Sequence, residues 1–156
     1  MKVFISGSKT IETLPERVKE YIANLAGNGS EFIVGDCAGA DKAAQDFLSA
    51  LNVKKVTVYC SGKRPRNNVG GWEVVALSVK GLKGYEFYRA KDIKMAEDCD
   101  FALAVWDGES RGTKANIDEM KRLNKPVSVF YTCKLSRPLK APLLPGHRFF
   151  ICDIME

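Results

Sequence analysis

At 156 residues, with a net charge of +5 and 46% hydrophobic residues, the chain can bury a sizeable core and is too short for several domains. No apolar run approaches the roughly 20 residues of a membrane span, and residues 1–5 lead into Ser6-Gly7-Ser8 rather than into a signal peptide core, so we expect one cytoplasmic domain over residues 1–156. Five scattered cysteines without a Cys-x-x-Cys pair, and a single histidine (His147), argue against a disulfide framework, a metal site and a Ser-His-Asp triad.

Short apolar runs alternate with helical patterns along the chain. Strands are predicted at residues 2–6, 32–34, 55–59, 101–106 and 126–131, and helices at 15–28, 41–51, 90–98 and 113–123. Unbroken apolar strands such as 101–105 are typical of a parallel sheet with helices on both faces. We therefore predict an α/β, Rossmann-like, doubly wound, mainly parallel sheet of about five strands. Residues 132–156 are expected to form an irregular C-terminal extension with a candidate strand at 148–152.

Ligands of such sheets bind beyond the carboxyl ends of the strands, so the loops that follow the strands are the candidate binding loops. The first strand is followed by Ser6, Gly7 and Ser8. A glycine between two hydroxyl residues lets backbone N–H groups approach a phosphate, and the hydroxyls are further donors. The same residues also fit an ordinary turn before a helix.

The loop after the second strand is built from small residues. It runs through Gly35, Asp36, Gly39, Ala40 and Asp41, which leaves little bulk between strand and helix. Asp41 is predicted as the N-cap of the next helix. Asp36, at the end of the strand, can hold ribose hydroxyls or can be a simple turn residue. The loop is neither a G-x-G-x-x-G fingerprint nor a Walker loop.

The segment between residues 61 and 91 holds the excess positive charge, with seven of the 24 basic and two of the 19 acidic residues. Arg66 and Asn67 are donors for phosphate or base edges, and Trp72 can stack on a ring, so the segment is either a lid or a surface excursion. Arg89 or Lys91, at the start of the next predicted helix, adds charge to the same anion site, or both are ordinary helix-surface cations. A local excess suits a small phosphorylated ligand, or a solvated basic surface, better than nucleic acid.

The strongest local signal follows the fifth strand. Its turn contains Asp107 and Gly108, and the next helix begins with Ser110, Arg111, Gly112 and Thr113. Gly112 lets an anion come close to the backbone, Ser110 and Thr113 offer caps and hydroxyls, and the free N–H groups of the helix face the anion.

The loops at residues 6–8, 35–41 and 107–113 resemble those of the SLOG superfamily of Rossmann-like proteins, and the resemblance covers residues 2–131. That superfamily includes the DprA-type DNA-processing proteins, the cytokinin-activating phosphoribohydrolases of the LOG type and the molybdenum-cofactor carriers. The combination of Arg66-Asn67-Asn68, Lys91-Asp92 and Trp106-Asp107-Gly108 is most similar to a branch of small bacterial proteins of unassigned function. The resemblance implies a bound nucleotide or similar phosphorylated ligand, gripped at the Gly-Thr turn.

The sequence departs from the phosphoribohydrolases at one position. Their catalytic Glu lies three residues after the Thr, where this chain has Asn116, which can hydrogen-bond a sugar but cannot take a proton at neutral pH. We therefore expect a sensor or carrier module that binds a nucleotide or nucleotide-derived ligand. The alternative is an N-glycosidic-bond hydrolase or transferase in which Glu119 or Asp36 replaces the missing acid.

The expected partners follow from the same observations. We expect a small phosphorylated ligand, no other cofactor, no metal and no membrane partner. Nucleic acid is not expected as a partner, and a homodimer is compatible with this class of fold.

Overall fold

The structure is a computed structural model that describes residues 1–132. Six strands and four helices alternate in the order β1 (Lys2–Gly7), α1 (Glu16–Gly27), β2 (Glu31–Gly35), α2 (Ala40–Ala50), β3 (Val56–Ser61), β4 (Glu73–Leu77), α3 (Gly84–Asp98), β5 (Phe101–Trp106), α4 (Arg111–Arg122) and β6 (Val127–Tyr131). The C-terminal extension predicted at 132–156 lies, apart from Thr132, outside the described residues.

The strands form one fully parallel sheet in the order β4-β3-β2-β1-β5-β6. The chain moves outward from β1 to β4, then returns through α3 to place β5 on the other side of β1. The strand order therefore reverses between β1 and β5, and a crevice opens beyond the carboxyl ends of these two strands. The Rossmann-like α/β fold predicted from the sequence is confirmed.

Two hydrophobic clusters hold the helices on opposite faces of the sheet. Val18 and Ile22 of α1 and Leu48 of α2 pack on one face. Met95 of α3 and Met120 of α4 pack on the other. Successive side chains of a buried parallel strand point to opposite faces of the sheet and so contribute to both clusters. The strands are therefore apolar on both faces, which is the pattern seen in the sequence.

The sheet has six strands rather than about five. β4 pairs in parallel with β3 and is the edge strand that the sequence did not reveal, because its side chains are mostly exposed or half-buried and show no core pattern. α3 begins at Gly84 rather than at residue 90. Its first two turns carry exposed Tyr85 and Tyr88, so they lack the apolar periodicity by which a helix is recognised.

Candidate functional site

A cavity of about 870 Å³ lies where the strand order reverses. We call it the switch-point cavity. Its volume is in the range of small-molecule sites. It is lined by Phe4, Ser6, Gly7, Lys9, Thr10, Cys37, Asp41, Arg66, Tyr85, Tyr88, Arg89, Lys91, Asp92, Met95, Asp107, Glu109, Ser110, Arg111, Gly112, Thr113 and Asn116.

The N-terminus of α4 forms one wall of the switch-point cavity. Ser110 is its N-cap, and the Ser110 hydroxyl oxygen accepts a hydrogen bond from the Thr113 backbone N–H at 3.4 Å. Helix geometry leaves the N–H groups of Arg111 and Gly112 without an intrahelical acceptor. A Cβ built on Gly112 would meet nothing within 4 Å, so open space lies beside this turn. The wall is therefore suited to an anion.

Asp107 shapes the turn that leads into α4. Its Oδ1 accepts from the backbone N–H groups of Glu109 (2.9 Å) and Ser110 (2.7 Å), and its Oδ2 accepts from the Thr10 hydroxyl at 2.8 Å. Burial acts to raise the pKa of Asp107, but these hydrogen bonds outweigh it and leave the pKa below its ordinary value. Asp107 thus remains an ionised turn residue that holds two loops together.

The loop after β1 is packed tightly against its neighbours. A Cβ on Gly7 would lie 2.4 Å from the Ala40 Cβ, and one on Gly39 would collide with the Lys9 backbone. Ser8 is fully buried, and its hydroxyl accepts from the Asp107 backbone N–H at 3.1 Å. The small residues therefore bring three loops together, while Ser8 links the loops rather than lining the cavity.

Asn116 lies at the floor of the switch-point cavity and is buried. Its Nδ2 donates to the Ser6 Oγ at 2.8 Å, and its Oδ1 accepts from the Arg89 guanidinium. Arg89 also donates to the Ala115 carbonyl at 3.0 Å. The amide that we expected to meet a sugar instead connects β1, α3 and α4.

Arg66 is fixed at the cavity mouth by Asp36. Its Nε and Nη2 donate to the Asp36 carboxylate at 2.9 and 2.7 Å, and its backbone N–H donates at 3.0 Å. Burial acts to raise the pKa of Asp36, but the bonds and charge of Arg66 outweigh it and lower the pKa. The guanidinium carbon lies 4.9 Å from the centre of the Tyr88 ring, and the Lys9 Nζ lies 5.7 Å from it.

A charged cluster around the buried Lys91 also lines the cavity. The Lys91 Nζ donates to Asp92 at 2.8 Å and lies 3.7 Å from the Asp41 carboxylate. Burial acts to lower the pKa of Lys91, but the two carboxylates outweigh it and raise the pKa. Burial raises the pKa of Asp41 to about 6, although the charge of Lys91 opposes the shift.

Asp41 is not the N-cap of α2 that the sequence predicted. Gly39, with a φ of 78°, takes that position. Asp41 lies in the first turn of α2, where its carboxylate accepts a hydrogen bond from the Cys37 backbone N–H.

The polar segment from Lys63 to Trp72 is anchored rather than loose. Gln45 is fully buried, donates to the carbonyls of Gly35 (2.8 Å) and Asn67 (3.2 Å), and accepts from the Val69 backbone N–H. The Trp72 indole donates to the Val53 carbonyl at 2.9 Å and its ring packs against the core. Trp72 therefore lies away from the cavity, and Arg66 is the side chain that the segment contributes to it.

The structure brings together about half of the residues predicted for the site. Those that line the switch-point cavity are Ser6, Gly7, Asp41, Arg66, Lys91, Asp107, Ser110, Arg111, Gly112, Thr113 and Asn116. Those that do not line it are Ser8, Gly35, Asp36, Gly39, Ala40, Asn67, Trp72, Gly108 and Glu119.

Neither of the two candidate acids lines the cavity, and each is in an ion pair. Asp36 is held by Arg66. Glu119 accepts from Arg122 at 2.6 Å, and this hydrogen bond lowers the pKa of Glu119. Neither carboxylate is placed to act on a ligand in the switch-point cavity.

Two tyrosines and an aspartate are among the cavity residues that were not predicted. Tyr85 and Tyr88 lie one turn apart on α3, and Asp92 follows Lys91. The spacing of the two tyrosines was the available signal, because residues three apart share a helix face. It was missed because this part of α3 was not predicted as helix.

Between residues 1 and 132 no group of three or more His, Cys, Asp or Glu side chains is placed to hold a metal ion. No helix in that part of the chain is long and apolar enough to cross a bilayer. His147, Cys133 and Cys152 lie beyond it.

Comparison with known proteins shows the fold. No family model and no curated protein matches the sequence. Among solved structures, the chain is similar to DNA processing protein A from Helicobacter pylori, a protein with a single-stranded DNA binding mode. The TM-score is 0.64 and the sequence identity is 15%. The similarity covers 90% of this chain and 67% of that chain. This finding corrects our expectation about nucleic acid: the local clustering of charge gave no ground for excluding it, since a protein of this fold binds single-stranded DNA. The similarity shows that this chain shares the Rossmann-like fold of DNA processing protein A.

Proposed function

We propose that the protein binds a nucleotide or nucleotide-derived phosphorylated ligand in the switch-point cavity, as a sensor or carrier module. The observation that carries the proposal is the N-terminus of α4, with open space beside Gly112, facing a cavity of about 870 Å³. The loops that resemble the SLOG superfamily meet at this cavity, which supports the same ligand class.

Two arginines support phosphate binding because protein contacts orient each of them. Arg66 uses its Nε and Nη2 on Asp36. Arg89 uses its Nη1 on Asn116 and its Nη2 on the Ala115 carbonyl. A guanidinium has five N–H donors, so each arginine retains donors for a ligand while losing little conformational freedom when the ligand binds.

The geometry favours binding over hydrolysis of a glycosidic bond. Asn116 has no proton to exchange at neutral pH, and its amide already bonds Ser6 and Arg89. The substitute acids, Glu119 and Asp36, do not line the cavity, and each is paired with an arginine.

A second candidate function is the binding of single-stranded nucleic acid. Tyr85 and Tyr88, with 62% and 46% of their surfaces exposed, lie at the cavity mouth with Lys9 and Arg66. Aromatic rings interleaved with cations are the usual platform for unpaired bases. The similarity to a single-stranded DNA-binding protein of the same fold also favours this candidate.

Thermal denaturation with three sets of probes tests both candidates. The probes are the four ribonucleoside monophosphates, the four nucleosides that lack the phosphate, and a short single-stranded oligonucleotide without terminal phosphates. Ligand at about 100 times its Kd adds about 2.7 kcal/mol to stability. For a domain of this size we expect the melting temperature to rise by about 5 to 10 °C.

Each outcome decides between the two functions. Stabilisation by monophosphates and not by nucleosides supports the nucleotide-binding site. Stabilisation by the oligonucleotide alone, weakening steeply as salt is raised, supports strand binding instead. If no phosphorylated probe at millimolar concentration shifts the transition, the proposed nucleotide site is wrong.

A further inference from the structure

The orientation of the Asn116 amide is determined by its neighbours. Arginine can only donate hydrogen bonds, so the Asn116 atom that faces Arg89 must be the oxygen. The other end of the amide is then the NH₂ group, which faces the Ser6 Oγ at 2.8 Å. The residue is buried, and this arrangement uses both ends of its side chain.

This orientation determines where the Ser6 proton can go. Because the Ser6 Oγ accepts from Asn116, its own O–H must point elsewhere. Within residues 1–132 no protein acceptor bonds that proton, and Ser6 lines the switch-point cavity. Ser6 therefore presents a hydrogen-bond donor to whatever occupies the cavity.

Asn116 also determines the charge available from Arg89. The Arg89 guanidinium lies in the cavity wall, donates to the neutral Asn116 amide, and has its nearest carboxylate, that of Glu119, 4.0 Å away. An acid at position 116 would pair with Arg89 directly and would also accept the Ser6 proton. It would remove two donors from the cavity and add a negative charge.

We propose that Asn116 is a positioning residue that makes the cavity floor a site for an anionic phosphate group, by directing the Ser6 hydroxyl and the Arg89 guanidinium toward the same ligand oxygens. The proposal rests on the proposed function, and it explains why an amide rather than a carboxylate occupies this position. The ligand group it predicts at the floor is a hydrogen-bond acceptor, adjacent to the N-terminus of α4.

A double-mutant cycle tests the proposal with inorganic pyrophosphate as the probe. Its Kd is measured by titration calorimetry for the wild type, Ser6→Ala, Asn116→Asp and the double variant. We expect Ser6→Ala to weaken binding about tenfold and Asn116→Asp about 30-fold or more, because hydrogen bonds to charged groups are lost. In the Asn116→Asp background, Ser6→Ala should change the Kd less than about twofold, since the Ser6 proton is already bound by the new carboxylate.

The controls separate positioning from a merely structural role. Asn24→Asp adds the same charge at an exposed position of α1, on the other face of the sheet, and should leave the Kd unchanged. If Asn116→Asp does not fold, Asn116→Ala replaces it and should also reduce the effect of Ser6→Ala, because the hydroxyl is no longer directed. Independent, multiplicative effects of the two substitutions in the cycle would overturn the proposal.

A measurement without ligand distinguishes failure of this proposal from failure of the proposed function. The side-chain amide proton resonances of Asn116 should differ strongly between the wild type and Ser6→Ala, because the NH₂ group bonds Ser6 in the wild type. Unchanged resonances would show the opposite amide orientation and would refute the inference. If the resonances shift but no phosphorylated probe binds the wild type, the proposed function fails, and the ligand-directed role fails with it.

Discussion

Asp41 lines the switch-point cavity with 12% of its side chain exposed, and its carboxylate lies 3.7 Å from the Lys91 Nζ. Burial raises its pKa to about 6, from an ordinary value of 3.8, against the opposing charge of Lys91. Its folded form thus binds a proton more tightly than its unfolded form does. The stability that this proton contributes is fully present below about pH 4 and is lost as the pH rises through about 6.

Asp41→Asn removes this dependence on pH. The asparagine can still accept from the Cys37 backbone N–H, and Lys91 keeps Asp92 as its partner. We expect the free energy of unfolding of Asp41→Asn, relative to the wild type, to increase by about 1 to 3 kcal/mol between pH 4 and pH 6.5. Urea denaturation across that range measures it. A difference that stays constant with pH would show that Asp41 titrates normally.

The roles of individual acids could not be predicted from sequence, although their positions could. Asp36 and Asp41 both follow β2, and both were candidates for the site. Only Asp41 lines the cavity, because Arg66, 30 residues further along, covers Asp36. Glu119 was a candidate for the missing acid, but its neighbour Arg122 binds its carboxylate. Residue types and spacing contain no information about a partner as distant in sequence as Arg66 is from Asp36.

At the scale of elements, the segment from Lys63 to Trp72 determines where Arg66 lies. The sequence left open whether this segment is a lid or a surface excursion, since its residues are polar and without period. In the structure, one buried side chain of α2, Gln45, bonds the backbone of the segment at Asn67 and Val69. We infer that the segment is a fixed part of the cavity rim.

Gln45→Ala should release this segment. The substitution leaves the Gly35 and Asn67 carbonyls and the Val69 N–H without their partner, at a cost of about 2 to 3 kcal/mol. Hydrogen exchange should become at least tenfold faster at Val69 and its neighbours. Asp46→Ala is the matched control on the same helix, because its exposed pair with Lys42 contributes under about 0.5 kcal/mol. Equal protection in the two variants would contradict the anchoring role of Gln45.

Strong apolar runs made most of the elements predictable. β1, β5 and β6 were predicted within one or two residues, because buried parallel strands are apolar on both faces. β4 and the first half of α3 were missed because each is largely exposed, so its sequence shows neither the alternation of a strand nor the period of a helix. The first half of α3 lies at the mouth of the cavity, which is why Tyr85 and Tyr88 were missed with it.

At the scale of the whole molecule, the strand order places the site. The reversal between β1 and β5 leaves a crevice that the loops after both strands must line. The sequence predicted which loops meet there, since the order of strands and helices was recognisable. The similarity to DNA processing protein A shows that this arrangement occurs in a protein that binds single-stranded DNA. The local chemistry of α4, Arg66 and Arg89 is what favours phosphate as the group that the crevice holds.

Substitution of Gly112 tests the central claim most directly, because this residue borders open space at the N-terminus of α4. The measurement is the calorimetric Kd of the ribonucleoside monophosphate that stabilises the wild type most, for the wild type, Gly112→Ala and Gly112→Asp. Both substitutions should preserve or raise stability, since each favours a helix and Asp complements the helix dipole. We predict that Gly112→Ala weakens binding less than tenfold and that Gly112→Asp weakens it at least 100-fold by repelling the phosphate. Equal affinity in Gly112→Asp and the wild type would show that the phosphate does not bind at this helix, and would contradict the account.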